Sequence, residues 1–549
     1  MPTVSEAEFY AAVDRFFSRM LEEIPVAATQ FGDHRYDHRL GDHSPAARAR
    51  QEKMLRDALA ELEALDPTSW SRDAQIDFTL IRQLAKSFQR GFEKTRDHER
   101  SPGMYLDEAL GGVFLLLMRN FAPLRVRMRS VVGRLAEVPR VLSQGKENLI
   151  PEQVPKVWAE VAIEGGKRSL VLFRTVIPLL SLRTPRLLPR AFRASRAASA
   201  AVRDYVAFLE REILPRAEGE FAAGKELFEE ILREDHFLDY TADELLARGW
   251  KIFQDTKALM ETVAAKVAPG KTAREILDEA KKNHPKRGEL LSVYRKEVER
   301  VRRFVQEKGV ATIPPGESLT VQATPPSMRP VIPYAAYMMP GPLEEKQEGI
   351  FLVTPVDRRM PRQAQEEKLA GHNYAKIPVT CLHETYPGHH LQLVYANRYT
   401  KTLPRKLGSV LSSLFVEGWA FYCEELMEEL GYIREPVQKL ARLKDQLWRA
   451  ARIILDVSLH TGKMTVEEAI QFLVDEVGLE RANAQAEVYR YTSAPTQPLS
   501  YLIGKLEILS VIEEYKRRNP GVPLREIHDA ILSCGSLPPK LLRERLFPT

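Results

Sequence analysis

Pro387-Gly388 stands inside a run that otherwise favours helix, and it separates His383-Glu384 from His389-His390. Proline removes a backbone donor and clashes with the preceding helical turn, while glycine admits backbone angles that other residues resist. The pair therefore predicts a bulged or broken helix between Tyr386 and His389. In an unbroken helix His383 and His389 would lie about 9 Å apart along the axis, too far for two ring nitrogens each about 2 Å from one ion. With the two residues bulged out, the remainder reads His-Glu-x-x-His, in which two imidazoles hold Zn²⁺ and the glutamate is the general base. His389 is then the favoured second ligand beside His383. His390 is the alternative ligand, and otherwise binds substrate or packs behind the ligands.

The flanking residues fit a helix. Ile377-Pro378 puts a proline in a first turn, where its missing N–H costs nothing, and Val379, Leu382 and Tyr386 follow at helical spacing. A second helix is expected from about 409 to 430. On it Glu417 lies in an apolar run of Leu411, Leu414, Phe415, Val416, Trp419 and Phe421. A carboxylate buried there without a partner is costly, and metal ligation compensates it. Glu417 is the expected third ligand, and Glu424, two turns on, is placed to orient a ligand histidine.

The stretch His383-Glu384-Thr385-Tyr386-Pro387-Gly388-His389-His390-Leu391-Gln392, with Glu417-Gly418-Trp419-Ala420-Phe421-Tyr422 and then Arg490-Tyr491, Pro495, Gln497, Tyr501 and Gly504, resembles the bacterial domain-of-unknown-function family 885. Ala28-Thr29-Gln30-Phe31-Gly32, Arg35-Tyr36 and Arg39-Leu40 resemble its N-terminal part, so the resemblance covers nearly the whole chain. That family in turn looks distantly similar to the helical zinc peptidases typified by angiotensin-converting enzyme, thimet oligopeptidase and carboxypeptidase Taq. The resemblance implies a large helical zincin-like fold with a deep cleft, a ligand at His389 through the shared Gly-His ending, and short peptides as substrates. It also implies an oxyanion donor from a later segment, Tyr501 first and Tyr491 second. A substrate-facing strand at 349–355 is implied as well.

Composition narrows the alternatives. A chain of 549 residues that is 44% hydrophobic and 28% charged can bury a large core. No run of 18 apolar residues is present, 113–118 being the richest cluster, so no membrane span is expected. Residues 1–8 carry no basic and apolar leader pattern, and the three cysteines, Cys381, Cys423 and Cys534, show no disulfide spacing. The expected location is cytoplasmic. Net charge is only +5, and Arg183, Arg186, Arg190, Arg193, Arg196 and Arg203 lack interleaved aromatics, so they read as a solvated helix face and not as a nucleic-acid surface.

Along the chain, residues 5–310 read as successive amphipathic helices, with capping boxes at Thr241-Ala242-Asp243-Glu244 and Thr272-Ala273-Arg274-Glu275. From about 311 to 356 short β-branched runs bounded by proline, among them Leu319-Thr320-Val321-Gln322, Pro325-Pro326 and 349–355, predict a small sheet before the metal helix. Helices then resume, including one from about 437 to 460 whose stripe of Asp445, Arg449, Arg452, Asp456 and His460 faces a cleft or a polar network. His460 is a candidate oxyanion or substrate group, and Arg490 a bidentate partner for a substrate carboxylate, with Tyr491 and Gln497 beside it.

The fold expected is mainly α with a small sheet, arranged as a helical N-terminal part (1–235) and a catalytic part (236–549) in one continuous unit. The function expected is peptide hydrolysis with one Zn²⁺ on His383, His389 and Glu417, Glu384 as general base, and Tyr501 or His460 supporting the oxyanion. A hydrolase of non-peptide amides or esters, and a non-catalytic helical binding protein with a structural His/Glu cluster, are the alternatives. Neither nucleic acid nor membrane is an expected partner, and oligomeric state is not legible.

Overall fold

The computed structural model describes residues 4–325, 329, 332 and 334–548. Residues 1–3 of the N-terminal stretch and Pro326 of the Pro-Pro pair lie outside them. The chain is mainly helical with one small sheet, and it divides into two compact units: Met1–Phe221 with Gly341–Glu344, and Ala222–Pro340 with Glu345–Thr549.

Among the described residues, unit one contains helices and no strand. Helix α1 (Glu6–Glu23) starts at a Ser5/Glu8 capping box and buries Phe9, Val13, Phe17 and Met20, one per turn. Helices α2 (Pro102–Met118), α3 (Leu124–Asn148) and α4 (Leu188–Phe208) enclose the core, where Tyr105, Val113, Val131, Val138, Val202 and Tyr205 have no exposed surface. Arg134, fully buried on α3, is satisfied by the carbonyls of Arg39, Gly112 and Pro25 and by the Thr29 hydroxyl, which ties the N-terminal segment to the core. The six arginines between 183 and 203 are all exposed, as expected of a solvated face.

Unit two holds the remaining elements. Both capping boxes read from sequence are formed, Thr241/Glu244 at the start of α5 (Ala242–Val267) and Thr272/Glu275 at the next helix. After α6 (Leu290–Glu307) come β1 (Ser318–Ala323), β2 (Ala335–Met338) and β3 (Glu348–Val353), in the order β1-β3-β2. β1 runs parallel to β3, with Ser318 opposite Glu348, and β2 antiparallel to it, with Met338 opposite Ile350. The strand at 349–355 expected to receive substrate is thus the middle one. Both of its edges are hydrogen-bonded to neighbours, so no peptide backbone can add to it.

The helices that follow carry the site: α7 (Ile377–Glu384), α8 (His389–Tyr399), α9 (Leu414–Glu429), α10 (Pro436–His460), α11 (Arg481–Thr492) and α12 (Ser500–Arg518). α9 packs along α12, α5 along α10, and α7 against both α6 and α9. Gly462, with φ +69°, follows the end of α10. Among the described residues no helix is long and apolar enough to cross a membrane.

Candidate metal centre

The helix does break where the proline and glycine stand. α7 ends at Glu384, Thr385 leaves helical geometry, the Tyr386-Pro387 peptide is cis, and α8 begins at His389. The break is wider than a two-residue bulge: residues 385–388 lie between two separate helices. Its backbone stays paired, with Gly388 N–H donating to Leu382 O at 3.1 Å and Leu391 N–H to Thr385 O at 3.2 Å. The Trp419 indole of α9 donates to Pro387 O at 2.9 Å. Only glycine fits at 388, since a Cβ there would lie 1.9 Å from the His383 carbonyl oxygen.

Folding the chain back in this way brings the rings of His383 and His389 edge to face, 4.7 Å between centroids. Glu417, in the first turn of α9, meets both. Its Oε2 is 3.4 Å from His389 Nε2 and 4.0 Å from His383 Nε2, and one ligand atom from each residue lies within 4.8 Å of the other two. Tetrahedral ligands about 2.0–2.1 Å from Zn²⁺ are separated by about 3.3 Å. The Glu417–His389 separation of 3.4 Å matches that spacing, while the 4.0 Å from Glu417 to His383 is wider, so the trio would draw together around an ion. Two imidazoles and a carboxylate are also the donor set of hydrolytic zinc sites, so the residues fit the ion. Burial raises the Glu417 carboxyl, but the hydrogen-bonded His389 outweighs it and holds Glu417 at about 2. The same pairing holds His389 above its ordinary value against the opposing effect of burial.

Glu424, two turns along α9 and 2% exposed, accepts from His383 Nδ1 at 2.8 Å. That bond fixes the tautomer and leaves Nε2 unprotonated toward Glu417, the orienting role expected of Glu424. His389 Nδ1 is buried without a partner. Glu384, the last residue of α7, is half-buried, and its charge acts on His389.

His390 does not face the centre. It is fully buried, its Nε2 donating to Glu317 at 2.7 Å and its Nδ1 accepting from the Tyr337 hydroxyl at 2.9 Å, so it cannot hold substrate as expected. Glu317 also accepts from the Tyr386 hydroxyl at 2.6 Å and pairs with Arg302 at 2.9 Å, which clamps both sides of the break. Nothing in the sequence singled out Glu317, which precedes β1 in a Pro-Gly-Glu turn.

The downstream residues divide. Tyr501 on α12 lies against two cations, Arg452 at 4.4 Å and Arg449 at 5.5 Å from its ring, and the Glu417 charge acts on its hydroxyl. Tyr491 is fully buried, its hydroxyl donating to Glu487 at 2.8 Å and accepting from Arg452 Nε at 2.9 Å, so it is not free to serve an oxyanion. His460 is likewise withdrawn: it has no exposed surface, its Nε2 donates to Tyr491 O at 3.0 Å, and its Nδ1 accepts from Ala223 N–H at 3.3 Å. Burial lowers it to about 4. Both are corrected from catalytic to structural groups. Arg490 and Gln497, expected to bind substrate, hold each other at 2.8 Å, with Arg490 also on Glu487 at 3.0 Å. The stripe on α10 meets a polar network, with Asp456 accepting from Thr496 and Leu499 N–H and Arg452 paired with Glu487.

Fold and site together define a mainly helical protein carrying a candidate His/His/Glu metal centre across a broken helix. The family described as bacterial protein of unknown function (DUF885) matches residues 25–546, and the chain belongs to that family. A solved candidate lipoprotein of unknown function from Shewanella oneidensis is 27% identical, with a TM-score of 0.80 over 99% of this chain and 100% of that one. A second, from Colwellia psychrerythraea, is 18% identical and shares the fold, with a TM-score of 0.84 over 99% of both chains. No curated protein matches.

Proposed function

We propose that this chain is a zinc-dependent peptidase of short peptides, with a helical zincin-like fold and a cleft at the centre. The observation that carries the reading is the convergence of His383, His389 and Glu417 within 4.8 Å, with the Glu384 charge acting on His389. A Zn²⁺ on these residues supplies Lewis-acid activation of water and of the scissile carbonyl. Glu384 takes the proton of the attacking water and delivers it to the leaving amine. Tyr501 donates to the developing oxyanion, with Arg449 and Arg452 holding its ring in place. Glu424 keeps His383 in the coordinating tautomer.

The buried thiols of Cys381, Cys423 and Cys534, none of them in a disulfide, favour a reducing compartment and so the cytoplasm as the place of action. The lipoprotein descriptions of the two solved relatives point elsewhere, and cell fractionation decides between them. The reading is tested by incubating the zinc-loaded protein with a mixed peptide library and following products by mass spectrometry. New peptide termini that vanish on chelation and return with zinc support it. Intact peptides alongside turnover of amide or ester substrates would replace it with a non-peptide hydrolase.

A further inference from the structure

Arg449 and Arg452 lie three residues apart on α10, on one face. Both guanidinium groups flank the Tyr501 ring, and both rest on the Trp448 indole, at 4.9 and 4.6 Å. Their donors are only partly used. Arg452 gives Nε to Tyr491 and Nη2 to Glu487, but its Nη1 is shielded from solvent and has no acceptor. Arg449 leaves both Nε and Nη1 in the same condition, with Asp445 3.5 Å from Nη1 but not hydrogen-bonded to it. Arg452 is only 4% exposed.

Unpaired buried donors are few in native proteins, and charged ones are the costliest. Here three such N–H-bearing atoms gather around one tyrosine. The cluster adjoins the metal centre. The Arg452 charge acts on Glu417, the Glu417 charge acts on Tyr501, and Asp445, beside Arg449, is reached by the charge of His383. Charged N–H groups left over on two neighbouring guanidinium groups match a carboxylate, whose two oxygens can take one bond from Arg449 and one from Arg452.

We propose that Arg449 and Arg452 form a carboxylate-binding subsite beside the metal centre, which selects peptides presenting a carboxylate there. Carboxylate binding stands on the guanidinium geometry alone, and its use in choosing peptides rests on the peptidase reading. The carboxylate comes from a chain terminus or from an acidic side chain, and the two are separable by probe.

The test uses the full chain and three peptides: acetyl-Ala-Ala-Phe with a free carboxyl terminus, its terminal amide, and the amide of acetyl-Ala-Asp-Phe. Binding to metal-stripped protein is measured by calorimetry, and cleavage by zinc-loaded protein in parallel. The free acid is expected to bind about 10- to 100-fold more tightly than its amide, as charge-assisted bonds imply. In Arg449→Gln that ratio should fall below about threefold. Arg452→Lys, which keeps the charge and loses Nη1, should give an intermediate ratio, and circular dichroism establishes that each variant is folded. Since Arg452 is buried, the acid and amide comparison on the unaltered protein stands even if its variant unfolds. Recovery of tight binding by the Asp peptide assigns the subsite to a side-chain carboxylate; weak binding assigns it to the terminus. Equal affinity for all three peptides overturns the subsite, and so does an acid preference that survives in folded Arg449→Gln. Carboxylate-dependent binding without cleavage overturns the peptidase reading alone.

Discussion

Gly418 of α9 and Gly504 of α12 meet backbone to backbone: a Cβ on Gly418 would lie 2.3 Å from the Gly504 carbonyl carbon, and one on Gly504 would lie 2.0 Å from the Leu414 carbonyl oxygen. This contact sits one residue after Glu417 and three after Tyr501, so it sets how closely the ligand and the tyrosine approach. A side chain at either position must push two helices apart. Gly418→Ala and Gly504→Ala are each expected to cost about 1–3 kcal/mol, the range for overpacked cores, read by urea denaturation. Unchanged stability in both would mean the helices pack less closely than described.

Glu424 bonds His383 through Nδ1, on the side of the ring away from Glu417. Glu424→Gln should weaken zinc affinity about 10- to 100-fold, the usual cost of losing such a partner, while the ligand set stays intact. Competition with a calibrated chelator measures it. An unaltered affinity would remove Glu424 from the account.

Glu384 is the only carboxylate assigned to proton transfer, and it is not among the three expected ligands. Glu384→Gln should retain zinc and lose at least about a hundredfold in kcat, in line with general-base contributions. Normal peptide cleavage by a zinc-replete Glu384→Gln protein would show the base to be another group.

Glu317 is one of the carboxylates whose protonation weakens the fold in acid. Burial raises its carboxyl, but hydrogen bonds from His390, Tyr386 and Arg302 prevail and hold it at about 2, well below its ordinary 4.5. A carboxyl lowered in the folded state contributes stability that is complete above the unfolded value and is lost as pH falls from there toward 2. Urea denaturation between pH 6 and pH 3 should therefore show a steeper loss for the unaltered chain than for Glu317→Gln. Parallel curves would contradict the clamp.

The legible part of this protein was its local chemistry. Thr241/Glu244 and Thr272/Glu275 cap the helices they precede, because capping is decided within four residues. Pro387-Gly388 announced a break for the same reason, and Glu417 and Glu424 stood out as carboxylates on an apolar helix. What was not legible depends on partners distant in sequence. His390 is claimed by Glu317, His460 by Ala223 and Tyr491, and Tyr491 by Glu487 and Arg452, and no helical period reveals such pairings. The family resemblance implied a substrate-facing strand at 349–355, but an apolar run does not say whether a strand's edges are already paired. The unsatisfied donors of Arg449 and Arg452 were invisible for the same reason, since a charged stripe gives positions and not acceptors.

The central claim is that His383, His389 and Glu417 hold one zinc ion. Elemental analysis of the purified chain and of His383→Ala, both confirmed folded, tests it most directly. The unaltered protein is expected to carry about one zinc per chain and the variant almost none, as a site of three protein ligands requires. A folded wild-type chain that takes up no zinc, or a variant that keeps it in full, would contradict the account.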